Sequence, residues 1–211
     1  MSELTTRILS AIAMIAVALG AAVVGGYTFA VLAAAIATGM FYEWLRITRG
    51  WGPVWALGGF LYCLAPAVAL LWIRDRSGSD GLSLLLWAFL VTWATDIGAY
   101  FAGRRFGKRK LAPAISPNKT VEGLLGGIVA AALFGAAWVW ANQLNPALMA
   151  LAPLFAIAAQ AGDLFESRMK RQAGVKDSGD WLPGHGGLLD RLDGLVPVAV
   201  LTFAAQVAGL A

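Results

Sequence analysis

The sequence predicts an all-α, polytopic membrane protein of about seven transmembrane helices, and three observations carry that expectation. Of the 211 residues, 59% are apolar and only 13% charged, against roughly 45–50% and about 25% in an average soluble domain. Mean hydropathy is +0.71, so more apolar surface is present than one small globule can bury, and the surplus has to face hydrocarbon. The apolar residues also fall into runs of about 20, the length that crosses a bilayer as a helix, without the alternation a membrane barrel needs. The same figures exclude disordered, collagenous and disulfide-rich chains. The one cysteine, Cys63, lies in an apolar run and reads as packing. With one histidine, His185, a multi-histidine zinc or haem site within one chain is excluded, so a metal would be held by oxygen ligands.

Seven spans follow in order: Ile8–Gly25, Tyr27–Leu45, Trp51–Ile73, Leu82–Phe101, Val121–Ala141, Pro146–Gly162 and Leu195–Ala211. Gly25-Gly26 divides the first pair as a tight hairpin, because Ile8 to Leu45 is too long for one crossing. The first run reads as an uncleaved helix rather than a signal peptide, since the next apolar run restarts at once. Of the 16 lysines and arginines, only Arg74 and Arg76 fall on one side of this arrangement. The positive-inside rule therefore puts the amino end in the cytoplasm. Trp51, Trp55, Trp72, Trp138 and Trp140 stand near span ends as interface anchors. The chain reads as one membrane domain, residues 1–81 as scaffold and 82–211 as catalytic helices and cytoplasmic loops.

Two segments hold most of the polar chemistry, Asp96 to Glu122 and Asp163 to Asp193. Asp96 is an ionisable group inside an apolar run, a costly placement that usually has a functional partner, and it shares a helical face with Tyr100 and Gly103. The basic run that follows reads either as a topology signal contacting anionic lipid or as part of an anion site. Ser116-Pro117-Asn118-Lys119-Thr120-Val121-Glu122-Gly123 places hydroxyls, a lysine and a carboxylate in a turn opening the fifth span. There, free helix N–H groups and Lys119 suit a phosphate; a capping box built on Asn118 or Thr120 is the plainer alternative. In the second segment Asp163, Glu166, Ser167 and Lys170 line one helix face. Asp190 and Asp193 lie one turn apart where they can oppose Asp163, which suggests a magnesium site shared with phosphate oxygens. Pro183-Gly184-His185-Gly186-Gly187 is a turn that lets backbone approach a ligand.

Ser167-Arg168-Met169-Lys170-Arg171, Lys176-Asp177 and Leu182 through Asp193 together closely resemble the signature of the phosphatidate cytidylyltransferases, the CDP-diacylglycerol synthases. Ser116 through Gly123 resembles that family's second motif, and the likeness runs from about Asp96 to Gly194. It implies an enzyme of the cytoplasmic (inner) membrane, its active site facing the cytoplasm, that joins CTP to phosphatidic acid. The products are CDP-diacylglycerol and pyrophosphate. By resemblance Asp163 and Asp190 hold Mg2+, with a second cation such as K+ nearby, and Asp193, Glu166 and Lys170 complete the catalytic group. Ser116, Lys119, Thr120 and Glu122 would receive nucleotide phosphates or cytidine. Arg104, Lys108, Lys170 and Arg171 would screen the triphosphate or draw in lipid phosphate. Ser167, Lys176 and Arg191 join the substrate-binding set, and His185 hydrogen-bonds substrate or acts as acid or base. The implied partners are CTP, phosphatidic acid, membrane lipids and a second copy of the chain, with no nucleic acid.

The same motifs would serve a CTP-dependent kinase or cytidylyltransferase acting on an isoprenoid lipid. A CDP-alcohol phosphotransferase would need further aspartates after Asp193, which the chain lacks. A small transporter would need polar, broken helices in both halves, whereas polar segments occur in the second half alone.

Overall fold

The computed structural model describes residues 3–75, 79–182 and 186–211. Its elements are α1 (Glu3–Val24), α2 (Gly26–Ile47), α3 (Pro53–Arg74), α4 (Ser79–Phe106), β1 (Lys110–Ala112), β2 (Ser116–Thr120), α5 (Val121–Ala141), α6 (Ala147–Gln172), α7 (Leu189–Leu192) and α8 (Leu195–Val207). Six of the seven expected spans are helices long and apolar enough to cross a membrane, so the all-α, multi-pass architecture stands. The seventh differs: α8 has 13 residues, roughly 20 Å at 1.5 Å per residue, short of the ~30 Å hydrocarbon core. A second difference is local. The loop ahead of the fifth span is a two-stranded antiparallel hairpin pairing Lys110 with Thr120 and Ala112 with Ser116, too short to leave an alternating pattern in the sequence.

The hairpin of helices at Gly25-Gly26 is present. Gly25 has φ 68° and Gly26 φ 51°, left-handed values that glycine adopts without strain. Arg74 at the end of α3 donates to Ala22 O at 2.5 Å and Val23 O at 3.0 Å, satisfying carbonyls that the end of α1 leaves open. Prolines lie inside α3 (Pro66) and α6 (Pro153).

The core sits where α4, α5 and α6 cross. Trp87 of α4 is fully buried, meets Phe155 edge-on at 5.5 Å and donates to Gly135 O at 3.2 Å. The anchor expected at Trp138 is also tied inward, donating to Ser83 O at 2.9 Å, whereas Trp72 and Trp140 are exposed. Cys63 is buried among Met40, Trp44 and Ile47. Small residues set the approach of α4 to α5: a methyl at Gly98 would lie 2.7 Å from Gly126 O, and one at Gly126 would overlap the Ala102 methyl. This contact holds Asp96 of α4 at a fixed height beside the start of α5.

Gly126→Val should cost about 2–3 kcal/mol by overpacking, lowering Tm in detergent by about 4–12 °C for a chain this long. An unchanged Tm in thermal denaturation would contradict the close α4–α5 packing.

Candidate active site

The polar residues gather at one end of the bundle, where α4, α5 and α6 meet the hairpin and α7. α6 continues as helix to Gln172, ten residues past the expected span end. Its polar turn pairs within itself: Ser167 Oγ donates to Asp163 Oδ1 at 3.2 Å, and Lys170 Nζ lies 3.1 Å from Glu166 Oε1. The result is a rigid rod that carries Asp163, Glu166 and Lys170 beyond the apolar core.

A cavity of about 800 Å³ opens here. Asp96, Tyr100, Gly103 and Arg104 line it from α4, Asn118, Lys119 and Thr120 from the hairpin, Gln160, Asp163 and Lys170 from α6, and Asp177, Asp190, Arg191 and Asp193 from the later loop and α7. Opposed charges cross it in two chains of contacts. In the first, Gln160 Nε2 donates to Asp96 Oδ1 at 3.3 Å, Lys119 Nζ donates to Gln160 Oε1 at 2.8 Å, and the same ammonium pairs with Asp163 Oδ2 at 2.6 Å. In the second, Lys170 bridges Glu166 and Asp190 Oδ1. Asp190 Oδ2 accepts from Ser178 N at 2.7 Å, Ser178 Oγ at 2.9 Å and Gly187 N at 2.9 Å.

Two aspartates outside the spans, Asp190 and Asp193, are tuned in opposite directions. Burial alone would raise Asp190, but the Lys170 hydrogen bond and the backbone N–H groups of Gly187 and Ser178 outweigh it, holding its carboxyl below the usual value. Asp193 is pushed up to about 7, by burial first and then by the facing Asp163 carboxylate. A carboxyl crowded in this way by another gains from any cation placed between them.

Several expected site residues serve the scaffold or lie off this cavity. Glu122 turns away to accept Lys108 N at 3.0 Å and Arg109 N at 3.2 Å, fixing the hairpin base, so Lys108 enters through its backbone. Thr120 is the N-cap of α5, its hydroxyl accepting Gly123 N at 3.0 Å, as the capping reading expects. Ser116 is half-buried on β2, and Lys176 is exposed. Arg171 donates to Ile115 O at 3.3 Å and Val175 O at 3.2 Å, tying α6 to the hairpin turn. Glu166 is 1% exposed, and its contact at this end of the bundle is the Lys170 ammonium 3.1 Å from Oε1. His185, with Pro183 and Gly184, lies outside the described residues.

Reasoning from the sequence passed over Glu43, Gln160 and Ser178. Glu43 and Gln160 carried the signal that singled out Asp96, a polar side chain within an apolar run. Ser178 carried none.

Oxygen donors on this scale suit a hard divalent cation. Magnesium is commonly held by one or two carboxylates plus waters and substrate phosphates rather than by an all-protein cage. The described residues contain no group of three or more His, Cys, Asp or Glu arranged as a metal cage. Asp163 and Asp190, each now paired with a lysine ammonium, fit the smaller set.

An apolar bundle ending in a cavity of alternating carboxylates and ammonium groups belongs to the class of membrane proteins that handle anionic, phosphate-bearing ligands. Residues 49–208 match the cytidylyltransferase family, and the chain belongs to it. A phosphatidate cytidylyltransferase of Brucella suis biovar 1 is 38% identical over 253 aligned residues, covering 96% of this chain and 93% of its own length. That of Brucella abortus biovar 1 has the same identity and coverage. A phosphatidate cytidylyltransferase of Staphylococcus haemolyticus is 48% identical over 126 residues, 58% of this chain and 48% of its own. The resemblance carried by Ser167 through Asp193 is thus borne out, and the alignment extends it into the first spans.

Because its pKa is raised, Asp193 stabilises the metal-free fold while protonated and loses that contribution as pH rises towards about 7. Asp193→Asn, uncharged at every pH, should therefore raise Tm relative to wild type more at pH 8 than at pH 5. An equal difference at both values, read by thermal denaturation without divalent metal, would contradict this assignment.

Proposed function

We propose that this chain transfers the cytidylyl group of CTP to phosphatidic acid, giving CDP-diacylglycerol and pyrophosphate, at the cytoplasmic face of an inner membrane. Besides family membership, one observation carries the reading. Asp96, Arg191 and Asp193 line both the polar cavity and a second, largely apolar cavity walled by Phe29, Ile36, Met40, Pro66, Leu70 and Trp93. A substrate with a phosphate head and acyl tails fits such a junction, its phosphate meeting Arg191 and its tails lying among apolar side chains. A water-soluble acceptor would have no use for the apolar half.

In this reading a phosphate oxygen of phosphatidate attacks the α-phosphorus of CTP in line. The bond from that phosphorus to the bridging oxygen breaks, and pyrophosphate departs with the electron pair. A phosphate nucleophile is already ionised near neutral pH, so the chain's work is positioning and charge neutralisation. Arg104, Lys119, Lys170 and Arg191, spread around the cavity, screen the repulsion between triphosphate and lipid phosphate. Lys119 and Lys170 are drawn to incoming phosphate while Asp163 and Asp190 are released towards cation. Asp163 and Asp190 would hold Mg2+, which when bound neutralises charge developing on the phosphate oxygens. Thr120, capping α5, keeps the hairpin and Lys119 against that helix terminus.

Purified protein in detergent, given labelled CTP and Mg2+, should move cytidylyl label into the lipid phase with phosphatidic acid as acceptor and not with an isoprenoid alcohol or isoprenoid phosphate. Label appearing with an isoprenoid acceptor alone would overturn the substrate assignment. Asp190→Asn, measured on the folded fraction, should lower kcat/KM by roughly 100-fold or more through the loss of a cation ligand. Near-normal turnover in that variant would refute the ligand role.

A further inference from the structure

Glu43 is fully buried on α2, on the opposite side of Asp190 from Lys170, and the reaction as written does not use it. A carboxylate inside an apolar helix is costly, and this one accepts hydrogen bonds from outside its own helix. Its Oε1 accepts Leu188 N at 2.9 Å; its Oε2 accepts Leu189 N and Ser178 Oγ, each at 2.9 Å. All three donors belong to the segment that carries Asp190. Leu188 and Leu189 open α7, of which Asp190 is the second residue. Ser178 Oγ stands 2.9 Å from both Glu43 Oε2 and Asp190 Oδ2, so one hydroxyl joins the two carboxylates.

The surroundings leave no slack. A methyl at Gly187 would come within 2.5 Å of Glu43 Oε2 and 2.6 Å of Gly179 N, and one at Gly179 would overlap Glu43 Oε1. One turn along α2, Arg46 donates to Ser178 O at 2.8 Å. α2 therefore grips the loop at residue 178 from two sides. The Ser178 and Gly187 N–H groups, with the one Ser178 hydroxyl proton shared between the two carboxylates, hold Asp190 Oδ2 towards the clamp and leave Oδ1 to Lys170.

We propose that Glu43 is a positioning residue, which through Ser178 and the first turn of α7 fixes the Asp190 carboxylate so that its Oδ1 is presented to a divalent cation. The proposal rests on the reading of Asp190 as a cation ligand. Partners that orient ligating carboxylates commonly change metal affinity or activity by about 10–100-fold when removed, whereas a purely structural stitch would change stability alone.

The test is Mn2+ binding to the detergent-purified full chain, followed by electron paramagnetic resonance, beside Mg2+ titrations of cytidylyl transfer. Glu43→Gln keeps the shape but sets an amide NH2 against donors. Ser178→Ala breaks the link between the carboxylates while removing a single oxygen. For both, the Mn2+ concentration at half-binding and the Mg2+ concentration at half-maximal rate should rise about tenfold or more, with the KM for CTP little changed. Where Glu43→Gln yields no folded protein, Ser178→Ala decides. Folded Ser178→Ala with wild-type Mn2+ binding and Mg2+ dependence would overturn the proposal. A wild-type chain that binds Mn2+ but transfers no cytidylyl group would overturn the functional reading, and the Mn2+ titrations would still decide the role of Glu43. A wild-type chain that binds no Mn2+ even with CTP present would overturn the reading of Asp190 as a cation ligand and the role of Glu43 with it.

Discussion

Carboxylates placed at the end of an apolar bundle have to be neutralised, and the pairing of Lys119 with Asp163 and of Lys170 with Asp190 is what makes this site compatible with its surroundings. In the second pair the Lys170 side chain is 11% exposed and that of Asp190 5%, so neither relies on water to screen its charge. Removing one member of such a pair costs about 3–5 kcal/mol, because the other charge is left buried and unmatched. The fold is arranged around that constraint. α6 stays helical past the apolar core to carry Lys170 to Asp190, and the hairpin between α4 and α5 exists to set Lys119 against α6.

Pairs of this kind also suit a site that must bind anions and cations together. In the proposed reaction a triphosphate would offer Lys119 and Lys170 better partners than single carboxylates, and a divalent cation would offer the same to Asp163 and Asp190. Such an exchange of partners would leave no charge bare, lowering the cost of assembling several like-charged phosphates in one cavity. The linked contacts from Asp96 through Gln160 and Lys119 to Asp163, and from Glu166 through Lys170, Asp190 and Ser178 to Glu43, tie both ion pairs to rigid helices. The second chain reaches α2, so the amino-terminal helices do more than fill the membrane.

Much of the fold was legible because hydrocarbon imposes a strong, length-coded pattern on a sequence. The helix pair divided at Gly25-Gly26 and the span from Val121 to Ala141 fall at the residues expected. α8 was misjudged because apolar composition continues to Ala211 while the helix stops at Val207, and composition does not report where backbone hydrogen bonding ends. The hairpin was missed because strands of three and five residues are shorter than any pattern. Within the site, Asp163, Glu166, Ser167 and Lys170 were legible as one face from helical spacing. The convergence of Lys119 on Asp163 and the backbone donors on Asp190 were not, since both depend on how distant segments fold back. Glu43 was visible as a charge in an apolar run, but its purpose lies with residues 135 to 146 positions away.

The most direct measurement of the central claim uses two preparations of CTP, one labelled with 32P at the α position and one at the γ position, with purified protein, Mg2+ and phosphatidic acid. Cytidylyl transfer predicts that label enters the lipid phase from α-labelled CTP alone, while γ label stays in water as pyrophosphate. Label entering the lipid from the γ position would mean phosphoryl rather than cytidylyl transfer and would contradict the account.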